Sequence, residues 1–142
     1  MAAARHFTEL IIWQLGDELR AQVFELTKKR PFAADFKLRS QLDDAADSVC
    51  RNIAEGFGCK TDKEFARFIR IGRRSLNEVQ DCFRSALLKH YVIDADLTEA
   101  RRLMRRLYPA ISSFLSKIDP DDARQRTSAG RDTVSHRPAK SP

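Results

Sequence analysis

The chain has 142 residues, of which 42% are hydrophobic and 32% charged, and its formal net charge is +6. That length suits one domain, large enough to fold without a metal or a disulfide. Three cysteines without CxxC spacing indicate free thiols in a reducing compartment. The sequence shows neither a signal-peptide pattern nor an apolar run of about 20 residues, so we expect a cytoplasmic protein that does not enter a membrane.

The positive charge is concentrated in one third of the chain. Residues 60–106 contain 12 Lys and Arg against 7 Asp and Glu, whereas residues 1–59 contain 8 against 9. A local excess of this kind is typical of proteins that bind a polyanion. An arginine-rich solvated surface would give the same composition, so the charge alone leaves both interpretations open.

Two helices are predicted in the first half of the chain. The first covers residues 8–29 with Thr8 as its N-cap, because apolar residues recur there every three or four positions. Pro31 ends it, since the residue before a proline avoids the helical region. The second covers residues 34–55, and Gly56 is placed to cap its C-terminus.

Two more amphipathic helices are predicted to follow. The third covers residues 61–90 and begins with Thr61 and Glu64, which have the spacing of a capping box. The fourth covers residues 96–117, with Pro109 inside the pattern, where we expect a kink.

The links between these segments are only a few residues long, which makes consecutive helices antiparallel neighbours. We therefore predict an all-α, up-down antiparallel four-helix bundle over residues 1–118. Residues 119–142 hold no side chain more hydrophobic than Val134. We expect this polar segment to be a disordered tail, because it cannot bury enough apolar area to fold.

The most suggestive feature is a basic stripe on the predicted third helix. At about 100° per residue, four cations fall within a sector of roughly 60°, opposite the apolar face: Lys63, Arg67, Arg70 and Arg74. Like charges at this spacing repel each other, and a phosphate backbone would reverse the sign of that interaction. A solvated face is the alternative.

Other arginines extend the basic surface. The predicted fourth helix carries Arg101, Arg102, Arg105 and Arg106 opposite its apolar stripe. Antiparallel packing places Arg102 beside about residue 84, some 20 Å along the axis from the centre of the stripe, which excludes one compact phosphate site. Arg73 adjoins the stripe, and Arg51 should lie level with Arg67.

Acidic residues are also clustered, but the pattern does not favour an enzyme. Asp43, Asp44 and Asp47 are predicted on the second helix, and Glu78 and Asp81 on the third. Because these positions do not converge inside the bundle, we predict no catalytic residue, no metal site and no cofactor. Phosphate-binding loops and nucleophile motifs are not apparent in the sequence.

A short motif closes the predicted second helix. Asn52, Glu55 and Gly56 lie just before the turn that leads to Glu64 and Phe65. We expect the polar side chains of Asn52 and Glu55 to bond backbone groups of the turn at residues 56–61 or the free N–H groups of the third helix. A ligand-binding role is the alternative.

The sequence from Gln41 to Gly56, followed by Glu64-Phe65 and by Ser75-Leu76-Asn77-Glu78-Val79, resembles the bacterial four-helix bundle family of 23S rRNA intervening-sequence proteins. The element Asn-Ile-Ala-Glu-Gly followed by Glu-Phe is its most specific part, and the resemblance covers about residues 7–118. It implies a small up-down bundle that assembles into a ring-like pentamer. The genes of this family occur in insertions within 23S rRNA genes, so nucleic-acid binding is an expectation for it.

Two departures from the family pattern bear on the site. Asp43 and Asp44 stand where basic residues are usual, which argues against a polyanion surface on the second helix. Gly72-Arg73-Arg74-Ser75 replaces a small Ala-x-Gly-Ser element, so either the ring contact differs or Arg74 faces outward.

From these observations we expect a non-enzymatic, homo-oligomeric bundle that binds RNA or DNA. The basic face of the third helix would contact phosphates, helped by Arg51, Arg73 and the arginines of the fourth helix, with little sequence preference. The alternative is a protein-interaction scaffold that docks an acidic partner, such as a polymerase-type protein, without binding nucleic acid.

Overall fold

The computed structural model describes residues 3–121 and residue 124, and this part of the chain contains helices and no strand. Four α-helices account for most of it: α1 (Ile11–Thr27), α2 (Phe36–Phe57), α3 (Asp62–Leu88) and α4 (Thr98–Ile118). Single turns of 3₁₀ helix precede α1, α2 and α4. The predicted tail falls almost entirely outside the described residues, so its disorder stays a prediction.

Each helix packs against two others, in the order α1–α2–α3–α4 and back to α1. Residue pairs across the interfaces show that consecutive helices are antiparallel. As the residue number rises on one helix, the number of its partner falls on the next. The pairs are Arg20–Asp47 and Thr27–Asp43 for α1 and α2, Ser48–Ser75 and Gly56–Phe65 for α2 and α3, and Phe65–Phe114 and Asn77–Tyr108 for α3 and α4. The predicted up-down four-helix bundle is therefore confirmed.

The core lies between the four apolar stripes. Its fully buried side chains include Leu19, Leu42, Ile53, Ile69, Leu76, Leu103, Leu107 and Ile111. The buried residues of each helix recur mainly at intervals of three and four, as Ile12, Leu15, Leu19 and Val23 do in α1, so one face of every helix turns inward and the opposite face meets solvent.

The first two helices differ from the prediction at their ends. Thr8 is not the N-cap of α1, because residues Phe7–Glu9 form a 3₁₀ turn capped by the His6 side chain. Gly56 is not a cap either, because α2 continues to Phe57 and Gly58 is its C-cap.

At the start of α3 the Thr61 hydroxyl accepts a hydrogen bond from the Glu64 backbone N–H at 3.2 Å, as the capping-box spacing predicts. The helix ends two residues earlier than expected, because His90 adopts a left-handed conformation with φ 59°. The Tyr91 backbone N–H then bonds back to Ala86, which closes the helix. Helix α4 runs through Pro109, which cannot donate to the carbonyl of Arg105.

Candidate nucleic-acid interface

The outer face of α3 carries the predicted stripe, and three of its four cations are fully available. Lys63, Arg67 and Arg74 are exposed and form no ion pair with any described residue. They lie on one face over 11 residues, a length of about 16 Å along the helix. The Arg67 guanidinium lies 5.1 Å from the centroid of the Phe68 ring, which fixes it at the surface.

The fourth member of the stripe is different. Arg70 bonds the carboxylate of Asp119, the residue that follows the last turn of α4, and its side chain is only 22% exposed. Arg70 is therefore engaged with an acid that the helical pattern of α3 does not contain. The sequence pattern could not show this contact, because residue 119 reaches α3 only through the antiparallel packing of α4.

Asp119 introduces a negative charge into the basic face. The hydrogen bond from Arg70 lowers the pKa of Asp119 below its ordinary value, and nearby Lys63 acts in the same direction. The carboxylate is therefore ionised at neutral pH. It neutralises part of the face and competes with any phosphate for Arg70.

Arg73 and Arg51 are placed less favourably than the stripe. Arg73 is half-buried, and its Nη1 atom is buried, so it presents little of its guanidinium to solvent. Arg51 is exposed but bonds Asp47 at 3.1 Å, and Asp47 also accepts a hydrogen bond from Arg20 of α1. Since Asn52 lies beside Gly72, Arg51 is about one turn away from the predicted level of Arg67.

The basic group of α4 is half neutralised. Arg101 bonds Asp94 at 2.8 Å, and Arg102 forms two hydrogen bonds with Glu99, at 2.9 and 2.6 Å. Arg105 and Arg106 are exposed and pair with no acid among the described residues. These four arginines therefore supply two available cations and two that would have to exchange a carboxylate for a phosphate.

One basic residue was missed by the sequence reasoning. Arg84 of α3 lies with Arg101 and Arg105 of α4 along a groove between the two helices. The predicted register, which placed Arg102 beside residue 84, contained the signal that could have found it. Arg84 adds a cation beside the α4 group, and the exposed acids Glu78 and Asp81 lie on α3 between it and the stripe.

The motif at the end of α2 stabilises the bundle, although not by the predicted contacts. The Asn52 amide donates to the backbone oxygen and the hydroxyl of Ser48, at 2.8 and 2.9 Å, rather than to the turn. Ser48 in turn bonds the Ser75 hydroxyl of α3 at 2.8 Å. The side chain of Glu55 is exposed, and its backbone oxygen accepts bonds from Gly58 and Cys59.

Gly56 and Phe65 fit together across the α2–α3 interface. A Cβ atom at Gly56 would lie 2.6 Å from the Phe65 ring and 2.9 Å from Cβ of Phe68. Phe65 also packs edge-on against Phe57 and against Phe114 of α4. Glu64, the fifth member of the motif, is exposed in the first turn of α3, where its charge suits the helix dipole.

Two of the five clustered acidic residues, Asp43 and Asp47, are engaged in local contacts, whereas Asp44, Glu78 and Asp81 are exposed. Asp43 accepts a hydrogen bond from the Thr27 hydroxyl at 2.7 Å, and burial raises the pKa of Asp43 above its ordinary value. Among the described residues, no group of three or more His, Cys, Asp or Glu side chains could hold a metal ion. No described helix combines the length and apolar character needed to span a bilayer.

The fold and the site together define a small up-down four-helix bundle with a basic outer face on its third helix. The family model described as 23S rRNA-intervening sequence protein matches residues 8–113. The chain therefore belongs to this family, which confirms the resemblance seen in its motifs. No curated protein sequence matches the chain.

Proposed function

We propose that the protein binds the phosphate backbone of RNA or DNA through the outer face of α3. The observation that carries the proposal is the set of three exposed cations without an acidic partner among the described residues: Lys63, Arg67 and Arg74. Their span of about 16 Å is long enough to contact several successive phosphates. Membership of the 23S rRNA intervening-sequence family supports a nucleic-acid setting.

Contacts of this kind position a nucleic acid without reading its sequence. Arg105 and Arg106 would add phosphate contacts on α4, and Arg84 lies beside Arg105 in the groove between α3 and α4. Arg70, Arg73, Arg51, Arg101 and Arg102 are secondary, because each is partly buried or engaged with an acid. The proposed activity is binding alone, without catalysis and without a cofactor.

The test is a binding titration of a fluorescein-labelled 20-nucleotide RNA, followed by anisotropy. In the test variant, Lys63, Arg67 and Arg74 are replaced by Gln. We expect its affinity to fall about tenfold or more, because three phosphate contacts are lost. The matched control variant has Gln in place of Lys29, Arg30 and Lys37, three exposed cations at the opposite end of the bundle. This variant should bind RNA like the wild type. Equal losses in both variants would refute the proposed site.

A scaffold that docks an acidic partner protein is the second candidate, and the groove lined by Arg84, Arg101 and Arg105 favours it. Nuclease treatment of the purified protein separates the two functions. Loss of a copurifying absorbance at 260 nm supports nucleic-acid binding. A protein that copurifies and survives the treatment supports the scaffold.

We also propose that the chain assembles into a homo-oligomer in the cytoplasm, a pentamer by family resemblance. Large apolar side chains are exposed at the end of the bundle where α2 begins and α3 ends: Phe36 is 77% exposed, Leu88 68% and Ile93 66%. Exposed apolar groups near one another are typical of interaction surfaces. Light scattering coupled to gel filtration gives the copy number, and a monomer at micromolar concentration would contradict the proposal.

A further inference from the structure

A groove of about 360 Å³ lies between α3 and α4. Both helices line it with side chains over about two turns, Gln80 to Leu87 on α3 and Arg101 to Tyr108 on α4. One end is closed by the Tyr108 hydroxyl, which donates to Asn77 at 2.6 Å. The groove is therefore about 10 Å long and follows the helix axes.

The floor of the groove is apolar and held in place. Phe83 is 4% exposed and Met104 is 3% exposed, so the core fixes both side chains. Leu87 and Tyr108 are half-buried and offer further apolar surface. A floor that is already ordered costs little conformational entropy when a ligand covers it.

The rim of the groove is positively charged on both sides. Arg84 from α3 and Arg105 from α4 are exposed and form no ion pair with any described residue. Arg101 bonds Asp94, but the Asp94 side chain is 84% exposed. An ion pair this exposed to solvent contributes little stability. A ligand carboxylate could take the place of Asp94, so the groove presents three arginines for an anionic ligand.

An apolar floor between arginines is complementary to a helix that has an apolar stripe flanked by acids. A second copy of the chain fits less well, because no described helix has an exposed apolar stripe: the large exposed apolar side chains lie singly along the chain, at Ile11, Phe24, Phe36, Leu88 and Ile93. A nucleobase also fits less well. Stacking needs an exposed ring face, and Phe83 is buried.

We infer that the α3–α4 groove is a docking site for an acidic amphipathic helix of a partner protein. Apolar side chains of that helix at positions i, i+3 and i+4 would cover Leu87 and Tyr108. Its flanking carboxylates would bond Arg84, Arg101 and Arg105, since guanidinium groups bind carboxylates with two parallel hydrogen bonds. This site is separate from the three cations proposed to contact nucleic acid.

The probe is a fluorescein-labelled 14-residue helical peptide with Leu at i, i+3, i+4 and i+7 and with Glu on both sides of that stripe. We expect the peptide to bind saturably, and we expect binding to require both the Leu stripe and the flanking Glu residues. A peptide with Gln in place of Glu, and one with Ser in place of Leu, should each bind about tenfold more weakly. Chemical-shift changes in the ¹⁵N-labelled protein should concentrate on the two stretches that line the groove.

Protein variants locate the site. The double variant Arg84→Gln/Arg105→Gln should weaken peptide binding about tenfold, whereas its RNA affinity should fall by no more than about threefold, because of the two residues only Arg105 is proposed to contact phosphate. The matched control Arg67→Gln/Arg74→Gln removes the same charge from the stripe and should leave peptide binding unchanged. Peptide and RNA are titrated separately, and the groove variant keeps Lys63, Arg67 and Arg74, so the groove can fail while nucleic-acid binding stands, and the reverse.

Four outcomes would overturn the inference. The first is the absence of saturable peptide binding up to millimolar concentration. The second is equal loss of peptide binding in both double variants, which would indicate general charge attraction. The third is a tenfold loss of RNA affinity in the Arg84/Arg105 variant, which would assign the groove to nucleic acid. The last is dissociation of an oligomer by that variant, which would make a second copy the occupant.

Discussion

Gly56 is required by a contact between helices and not by its backbone freedom. An added methyl group would lie 2.6 Å from the Phe65 ring, a ring that Phe57 and Phe114 already hold in place. We predict that Gly56→Ala lowers the free energy of unfolding by about 1–3 kcal/mol, because the two helices must separate to admit it. Urea denaturation followed by circular dichroism measures the change.

The matched control is Gly58→Ala. The nearest atom to an added Cβ there is the Glu55 backbone oxygen at 3.5 Å, and the residue has a helical φ of −78°. Its substitution should be neutral or stabilise the fold by up to about 1 kcal/mol. Equal stabilities for the two variants would show that Gly56 and Phe65 do not meet as described.

Asp35 links three parts of the chain, and its charge predicts a pH dependence. Its carboxylate accepts hydrogen bonds from Lys89, from the Leu38 backbone and from the Tyr91 hydroxyl, and these lower the pKa of Asp35 from 3.8 to about 2. Because the folded-state pKa is the lower one, the contribution is full above about pH 4 and is lost as the pH falls towards 2.

We therefore predict that wild type is more stable than Asp35→Asn at pH 7 and that this difference shrinks between pH 4 and pH 2. Urea denaturation of both proteins at a series of pH values tests it. Other carboxylates, such as Glu9 and Asp119, also have lowered pKa values. Their contributions to the pH dependence are the same in both proteins and cancel in the difference. A difference independent of pH would mean that the ionised Asp35 carboxylate contributes nothing.

The contact between the end of α4 and the outer face of α3 leads to a prediction about RNA affinity. Asp119 holds Arg70 and adds a negative charge near Lys63. The variant Asp119→Asn should therefore raise RNA affinity about two- to fivefold, since it releases one arginine and removes one repulsion. Anisotropy titration with the labelled RNA measures the change.

The control for this prediction is Asp121→Asn. It removes the same charge two residues further on, where the side chain is 73% exposed and lies near Arg124. We expect it to bind RNA like the wild type. Weaker binding by the Asp119 variant would place the nucleic acid away from the α3 face.

The helices themselves could be predicted from the sequence, because apolar spacing reports which face of a helix is buried. Their ends were less predictable, since caps depend on neighbouring elements. Thr8 looked like a cap, yet His6 caps a separate 3₁₀ turn before α1. Gly56 looked like a terminator, yet its lack of a side chain serves the Phe65 contact instead.

The candidate site was predictable only in part, for the same reason. Helical periodicity placed Lys63, Arg67 and Arg74 on an exposed face, and they are exposed. Periodicity contains no information about a neighbouring helix, so it could not reveal that Arg70 meets Asp119. The bonds of Asn52 to Ser48, and through it to Ser75, likewise depend on how α2 and α3 pack.

At the scale of the whole molecule, charge is divided between the two halves of the bundle. Residues 1–59, which include α1 and α2, hold 8 cations against 9 acids, whereas residues 60–106 hold 12 against 7. Because α3 and α4 are adjacent and antiparallel, their cations form one side of the molecule. That asymmetry favours a polyanion that approaches from the α3–α4 side. Asp43 and Asp44 of α2 lie on another side of the bundle.

The most direct test of the central claim is the salt dependence of RNA binding. The logarithm of the affinity is plotted against the logarithm of salt concentration for wild type and for the variant with Gln at Lys63, Arg67 and Arg74. We predict a steep slope for the wild type and a slope smaller in magnitude by about 2–3 for the variant. The reason is that each lost phosphate contact lowers the magnitude of the slope by about 0.7–0.9. Equal slopes in the two folded proteins would contradict the claim that these three cations contact phosphate.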